Sequence, residues 1–418
     1  SERGTFFEAV DMFESLVAPA ADQGVVVAAL QIPYSLEKKV NYGDMPIIRK
    51  IPTRRLFAFD ARSGELLWDT RPPDDWDGQS GSFQDRVRVV GPPVIEGSRV
   101  LVPTVLLAGR IEYHVGCFDL HSGELLWSTV LITGQSELNM FGRQEEEFSA
   151  PPLTVSGNRV IALTQLGILA ALDLFTGDVL WELVYDQIPL PASRHIRSQP
   201  RKWVWRNAPP VVEGDVVLAT PHDAMDLMAV DLATGHLIWD IDHGRVARMS
   251  PSTDPQVLIG ADEQTLYLSG KRVVALSTPG IGVGPPSRPR WAFPARDTLA
   301  SNAPRPVLAE DRLYVPDSRS LFTVARRTGR RLAEIGWETG QPGNLLVGDG
   351  MMFSLEEGRL SGYFEWEKLL TRARTKLEQD PDSMANVLDL AVLLEKRGIG
   401  EWQDGRTKSA HEHLRQAR

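Results

Sequence analysis

Ala171-Leu-Asp173-Leu-Phe-Thr176-Gly177-Asp-Val-Leu-Trp181 is one of four near-copies of a single eleven-residue pattern. The others are Ala58-Phe-Asp60-Ala-Arg-Ser63-Gly64-Glu-Leu-Leu-Trp68, Cys117-Phe-Asp119-Leu-His-Ser122-Gly123-Glu-Leu-Leu-Trp127 and Ala229-Val-Asp231-Leu-Ala-Thr234-Gly235-His-Leu-Ile-Trp239. Their glycines stand 59, 54 and 58 residues apart. A decayed copy, Thr323-Val-Ala325-Arg-Arg-Thr328-Gly329-Arg-Arg-Leu-Ala333, follows 94 residues after Gly235, and Ala275 with Trp291 stands for the copy in between. Self-similarity at this period marks a repeat architecture.

A second element leads each copy: Gly91-Pro-Pro, Ala150-Pro-Pro and Ala208-Pro-Pro each precede a β-branched stretch, a Gly turn and another β-branched stretch. Weaker versions begin at Asn302 and Gly340. Each repeat therefore holds four short strands, the third ending at Ala-x-Asp and the fourth carrying the Trp. Four-stranded sheets repeated at this period predict a mainly β chain folded as a β-propeller. About seven blades are expected, ending near residues 70, 130, 184, 242, 295, 338 and 366, or eight if an N-terminal strand completes one. In Asp-x-x-Ser/Thr-Gly the Asp accepts backbone N–H groups and the Gly supplies a positive φ. The Trp offers a large apolar face and one N–H that needs a partner. A set repeated in every blade serves blade-to-blade packing, and Ala58, Asp60, Gly64, Trp68, Asp119, Gly123, Trp127, Ala171, Asp173, Gly177, Trp181, Ala229, Asp231, Gly235 and Trp239 are assigned to it.

These residues resemble the tryptophan-docking motif of the quinoprotein propellers, the pyrroloquinoline-quinone-like repeat family, over roughly residues 18–366. In that family the Trp of one blade stacks on the small residue of the next and bonds to its backbone. The resemblance implies either a quinone- and calcium-dependent dehydrogenase or a non-catalytic propeller, such as the lipoprotein scaffold of the outer-membrane β-barrel assembly machine or a sensor ectodomain.

Composition narrows these classes. Gly and Pro make up 64 of 418 residues, as a turn-rich chain requires. The net charge of −10 argues against a broad nucleic-acid-binding face. No run of 18 apolar residues occurs, and the chain opens on Ser1 without a basic-then-apolar leader, so a mature or excised segment is expected. Cys117 is the sole cysteine, so the adjacent-Cys pair of the dehydrogenases is missing; its place at the small position of a docking motif marks it as structural. The histidines at 114, 121, 195, 222, 236, 243, 411 and 413 show no zinc-like spacing. Asp74, Asp75 and Asp77 before Gly78 resemble a calcium loop, but Arg86 stands where the closing Glu belongs. No catalytic, cofactor-binding or metal-binding residue is assigned.

One segment stands out as a partner-binding candidate. Arg194, Arg197, Arg201, Lys202 and Arg206 interleave with Trp203 and Trp205 in the connection between the third and fourth repeats, with Glu145, Glu146 and Glu147 in the connection before it. A second interrupted loop, 279–294, carries Arg288, Arg290 and Trp291.

From Glu365 the period becomes helical: Trp366, Leu369, Leu370, Ala373 and Leu377 form one stripe. A second helix is expected from Asp382 or Ser383, continued by Leu388, Ala391, Val392 and Glu395 and stopping at Gly398-Ile-Gly400, and a third over about 403–417. This succession resembles a tetratricopeptide repeat. The chain divides into an N-terminal helix or linker (1–17, with Phe6, Val10, Phe13 and Leu16 on one face), a propeller (18–366) and tetratricopeptide-like helices (367–418). The expected function is a protein-binding scaffold in a larger assembly of a bacterial envelope or exported context, with other protein chains as partners and no cofactor.

Overall fold

The computed structural model describes residues 18–31, 53–72, 81–107, 110–134, 148–188, 204–295, 297–300, 304–337, 343–348, 350–356, 359–403 and 405–417. The sequence features at 6–16, 74–78, 145–147 and 194–203 lie outside them. The chain forms two compact units, residues 1–301 and 302–418. The fold is a seven-bladed β-propeller with a C-terminal helical segment; five blades belong to the first unit, two blades and the helices to the second.

The first blade pairs Ala20–Asp22, Val25–Gln31, Arg54–Asp60 and Leu66–Asp69 in chain order. The second is larger: Arg88–Val89 and Val94–Glu96 both pair with Arg99–Leu107, which continues to Ile111–Asp119 and Leu125–Gly134. The third holds Thr154–Ser156, Arg159–Leu163, Ile168–Asp173 and Val179–Val184, and the fourth Val211–Glu213, Val216–Ala219, Asp226–Asp231 and Leu237–Asp242. The fifth is Val257–Asp262, Thr265–Ser269, Val273–Ser277 and Arg288–Phe293. In the second unit, the sixth is Val307–Ala309, Arg312–Pro316, Ser320–Ala325 and Arg331–Gly336. The seventh has three described strands, Asn344–Gly348, Met351–Glu356 and Arg359–Phe364.

One register recurs. The small residue of the third strand faces the Trp of the fourth at Ala58–Trp68, Cys117–Trp127, Ala171–Trp181, Ala229–Trp239 and Ala275–Trp291, and Thr323 faces Ala333 in the sixth blade. A register shift follows the small residue every time, which re-aims the indole toward the next blade. The pair Ala275–Trp291 shows that the insertion between them left the register of its blade intact.

Docking runs from each of the first four blades to the next. Trp68, Trp127, Trp181 and Trp239 donate their indole N–H to the carbonyls of Leu120 (2.8 Å), Leu174 (3.2 Å), Leu232 (3.0 Å) and Ile281 (2.6 Å). Trp68, Trp181 and Trp239 are buried and Trp127 is half-buried. The rings of Trp68, Trp127 and Trp181 lie against the turn glycine of the next blade. A Cβ on Gly123, Gly177 or Gly235 would lie 2.5–2.6 Å from the indole of Trp68, Trp127 or Trp181. These glycines also hold φ of 72–75°, so both backbone shape and space exclude a side chain. In the fifth blade, where the turn motif is lost, the carbonyl of Ile281 in the insertion takes over as acceptor.

The first unit carries two short helices, α1 (Phe83–Arg86) and α2 (His243–Met249); in the second unit, α3 (Trp366–Gln379), α4 (Met384–Gln403) and α5 (Thr407–Gln416) follow the seventh blade. Leu369, Leu370 and Ala373 of α3 are buried, as the stripe predicts. Helix α4 differs from its sequence reading: it runs through Gly398 and Gly400 instead of stopping there. A Cβ on Gly398 would lie 2.6 Å from Leu414 Cγ, so this glycine is where α5 crosses α4 rather than where α4 ends. The buried face is accordingly Leu394, Gly398 and Glu401, while Leu388 is 56% exposed. Glu401 accepts from Arg397 Nε (3.2 Å), Ser409 Oγ (2.6 Å) and His413 Nδ1 (2.8 Å), tying α5 to α4.

Candidate functional site

The repeated carboxylates are occupied by their own turns. Asp60 Oδ1 accepts from the N–H of Arg62 (3.0 Å), the N–H of Ser63 (2.7 Å) and the Ser63 hydroxyl (3.0 Å). Asp119, Asp173 and Asp231 repeat the set. Bonds from the residue three positions on, ahead of the other causes, hold all four carboxyls below the ordinary range. None is poised as a base. Cys117 is buried, and burial pushes its thiol up to about 12. Among the described residues no three His, Cys, Asp or Glu side chains gather as a metal site. A lone buried thiol and turn-bound aspartates do not fit the donor set that a quinone–calcium pair requires.

The structure instead builds a polar stem at the base of the connection between the third and fourth blades. The chain leaves the third blade through Tyr185, Gln187 and Ile188 and is described again from Val204. Both ends rest on residues 222–225 of the fourth blade. On the outgoing side, the Asp223 carboxylate accepts from Tyr185 Oη (2.8 Å) and Gln187 Nε2 (2.7 Å), and its carbonyl accepts the Ile188 N–H (2.7 Å). On the returning side, His222 Nδ1 donates to the Trp205 carbonyl (2.5 Å) and the Trp205 indole donates to the Met225 carbonyl (3.1 Å). Gln165 braces the returning side, accepting the His222 N–H (2.8 Å) and donating to Asn207 Oδ1 (3.1 Å). The stem is buried at its centre, where Asp223 is 3% and Trp205 1% exposed, while Gln187 is exposed and His222 half-buried. Burial, with the Asp223 carboxylate beside it, raises the Tyr185 phenol well above its ordinary value.

Two of the seven partner-binding candidates fall on this stem. Trp205 sits in the core, edge-on to the His243 ring at 4.9 Å, and Arg206 is half-buried with its N–H on the Gln256 carbonyl (2.8 Å). Trp205 therefore anchors the connection and is not part of its surface. Arg194, Arg197, Arg201, Lys202 and Trp203 lie outside the described residues. Tyr185, Gln187, Asp223, Gln165 and His222 escaped sequence reasoning; the one signal for them is Pro221-His-Asp-Ala224 where a short turn would serve. Close by, Asp226 stands directly opposite Asp242, and its carboxyl is raised by burial, then by Asp240, Asp242 and Asp186.

The model of one protein family, described as outer membrane protein assembly factor BamB, matches residues 22–277 and 111–332. No curated protein matches the chain. Among solved structures it is similar to BamB from Moraxella catarrhalis, at 17% identity over 83% of this chain and 94% of that one, with a TM-score of 0.49. It is also similar to the computationally designed Ika8 protein (12% identity, 84% and 96% covered, TM-score 0.41). A europium-containing methanol dehydrogenase shares 14% identity over 60% of this chain and 54% of its own, with a TM-score of 0.38. With the family match spanning residues 22–332 and the docking register repeated through that span, the chain belongs to the quinoprotein-like propeller family of outer membrane protein assembly factor BamB.

Proposed function

We propose that this chain is a non-catalytic scaffold that binds other protein chains in a larger assembly of the bacterial envelope, at its periplasmic or extracellular side. The observation that carries the proposal is the stem of Tyr185, Gln187, Trp205 and residues 222–225, which tethers both described ends of a basic–aromatic connection to one loop of the fourth blade. Ordering such a connection costs conformational entropy, and a buried stem removes part of that cost before a partner arrives. Arg194, Arg197, Arg201, Lys202, Trp203 and Arg206 supply the cationic and aromatic groups that dominate interface energetics. Family membership and the absence of a free repeat carboxylate support a role without catalysis. The working modules are the repeat array, 18–366, and the helical segment, 367–418.

The test is cross-linking mass spectrometry on the assembly isolated with this chain, comparing the native sequence with the double variant Arg201→Glu, Lys202→Glu. Cross-links from 194–206 to another chain should disappear in the variant, and its melting temperature should stay within about 2 °C, since surface changes move stability by about 0.5 kcal/mol. Cross-links that survive at low and high salt would refute the assignment, and loss of folding would make the connection structural.

A further inference from the structure

The outer strands of the blades are not alike. Asp69 lies in the first, Glu182 in the third, Asp240 and Asp242 in the fourth, Arg288, Pro289 and Arg290 in the fifth, and Arg331 and Glu334 in the sixth. Charge and proline on an open edge discourage pairing with another chain. The outer strand of the second blade, Leu125–Gly134, reads Leu-Leu-Trp-Ser-Thr-Val-Leu-Ile-Thr-Gly: ten residues, the longest of the set, with no charge and no proline. It ends its sheet, and among the described residues no main-chain hydrogen bond reaches it from outside that sheet. Trp127 and Thr129 turn toward the third blade, bonding the Leu174 and Gly177 carbonyls (3.2 and 2.7 Å). Leu126 and Val130 are left exposed, Val130 at 52%.

We propose that this edge pairs with the same edge of a second copy of the chain, antiparallel about a two-fold axis near Ser128. That register sets Leu126 against Val130 of the copy, Trp127 against Thr129, and Ser128 against itself. Charge decides the occupant. Self-pairing of the fourth blade's outer strand would bring Asp240 and Asp242 against their own copies, and that of the fifth would meet Pro289, whereas Leu125–Gly134 meets itself with no like charges opposed. The rest of the molecule opposes association, because each copy carries −10. Salt screens that repulsion over about 10 Å at 0.1 M, so dimerisation strengthens with salt. Partner binding through the cationic connection at 194–206 weakens with salt, so the two contacts respond in opposite directions.

Sedimentation equilibrium of the purified chain, residues 1–418, tests this from 1 to 200 µM at 50 and 300 mM NaCl. The expected result is a monomer–dimer equilibrium, tighter at 300 mM, that Val130→Lys weakens about tenfold or more without moving the melting temperature. Val130 is exposed, so this variant folds. For placement, Ser128→Cys is treated with a short bismaleimide; Cys117 is buried and does not compete. Ser128→Cys should cross-link as a dimer, and Val184→Cys, 76% exposed on the third blade's outer strand, should not. A monomer at every concentration and salt overturns the proposal and leaves the edge to a strand of another protein. A dimer indifferent to Val130→Lys, or equal cross-linking through Val184→Cys, overturns it as well.

Discussion

Replacing a docking glycine separates backbone strain from blade packing, because the fold supplies its own control. Gly64 and Gly235 occupy the same turn position with nearly the same φ, 73° and 75°. A Cβ on Gly64 meets nothing within 4 Å, whereas on Gly235 it would lie 2.6 Å from the Trp181 ring. Alanine at either position incurs the left-handed penalty of about 1–2 kcal/mol. At Gly235 the indole must also retreat, at an overpacking cost of about 1–3 kcal/mol. Retreat further weakens the 3.0 Å bond from Trp181 to the Leu232 carbonyl, a net contribution of about 1 kcal/mol. Gly64→Ala should therefore cost about 1–2 kcal/mol and Gly235→Ala about 3–6. Urea unfolding followed by far-UV circular dichroism reads the difference. The decisive measurement is the cycle with Trp181→Ala, itself expected to cost about 3–5 kcal/mol as a buried aromatic. In that background the cost of Gly235→Ala should fall to that of Gly64→Ala. Equal costs for the two glycines in the native background, or a cost at Gly235 that persists without the indole, would refute ring-on-glycine docking.

Other outcomes follow from single side chains. Tyr113 is fully buried and its hydroxyl has no partner among the described residues, whereas Tyr185 bonds buried Asp223; Tyr113→Phe should leave the melting temperature level or higher, and Tyr185→Phe should lower it by about 1–3 kcal/mol equivalent. Cys117, with its thiol raised to about 12, should resist iodoacetamide at pH 8 in the native chain and react fully in urea; modification without denaturant would contradict its burial. Glu401 is pushed up by burial but pulled down further, to about 2, by bonds from Ser409, His413 and Arg397. A depressed carboxyl stabilises the fold above its unfolded value of 4.5, and that contribution is lost as pH falls from 4.5 toward 2. Helicity of α3–α5 at 222 nm should drop over that window in the native chain and be nearly flat in Glu401→Gln. Asp226 is shifted the other way, so Asp226→Asn should raise stability at neutral pH, by a few tenths to about 1 kcal/mol, and lose that advantage in acid.

The blades were legible because docking imposes demands that few residues meet. A left-handed turn under an indole ring accepts only glycine, and an indole held against a carbonyl leaves tryptophan as the donor. Even where the turn motif had decayed, Ala275 and Trp291 marked the register the fifth blade keeps. The helical segment was less legible at Gly398 and Gly400, where local propensity favours a stop. The crossing with Leu414 overrides it, and that contact lies 16 residues away in sequence. With the crossing face set by Gly398, the stripe at Leu388 and Val392 turns outward.

The stem shows why sites are harder to read than folds. A basic–aromatic run advertises itself by composition, yet composition cannot distinguish the residue that returns the chain to the core from those beyond it. Trp205 and Trp203 are two positions apart and equivalent by that criterion; the carbonyl of Met225 and the edge of His243 decide that Trp205 is an anchor. Asp223 carries no motif at all. It becomes an organising carboxylate only because the single bridge between Gln187 and Ala224 brings Tyr185, 38 residues earlier, within 2.8 Å. A buried carboxylate with both donors neutral is tolerated only where its bonds are satisfied. Asp223→Asn should therefore test the stem directly: one donor to the carboxylate loses its acceptor, and amide exchange at Ile188 should accelerate. Exchange that stays slow at Ile188 would mean that the stem does not depend on this carboxylate.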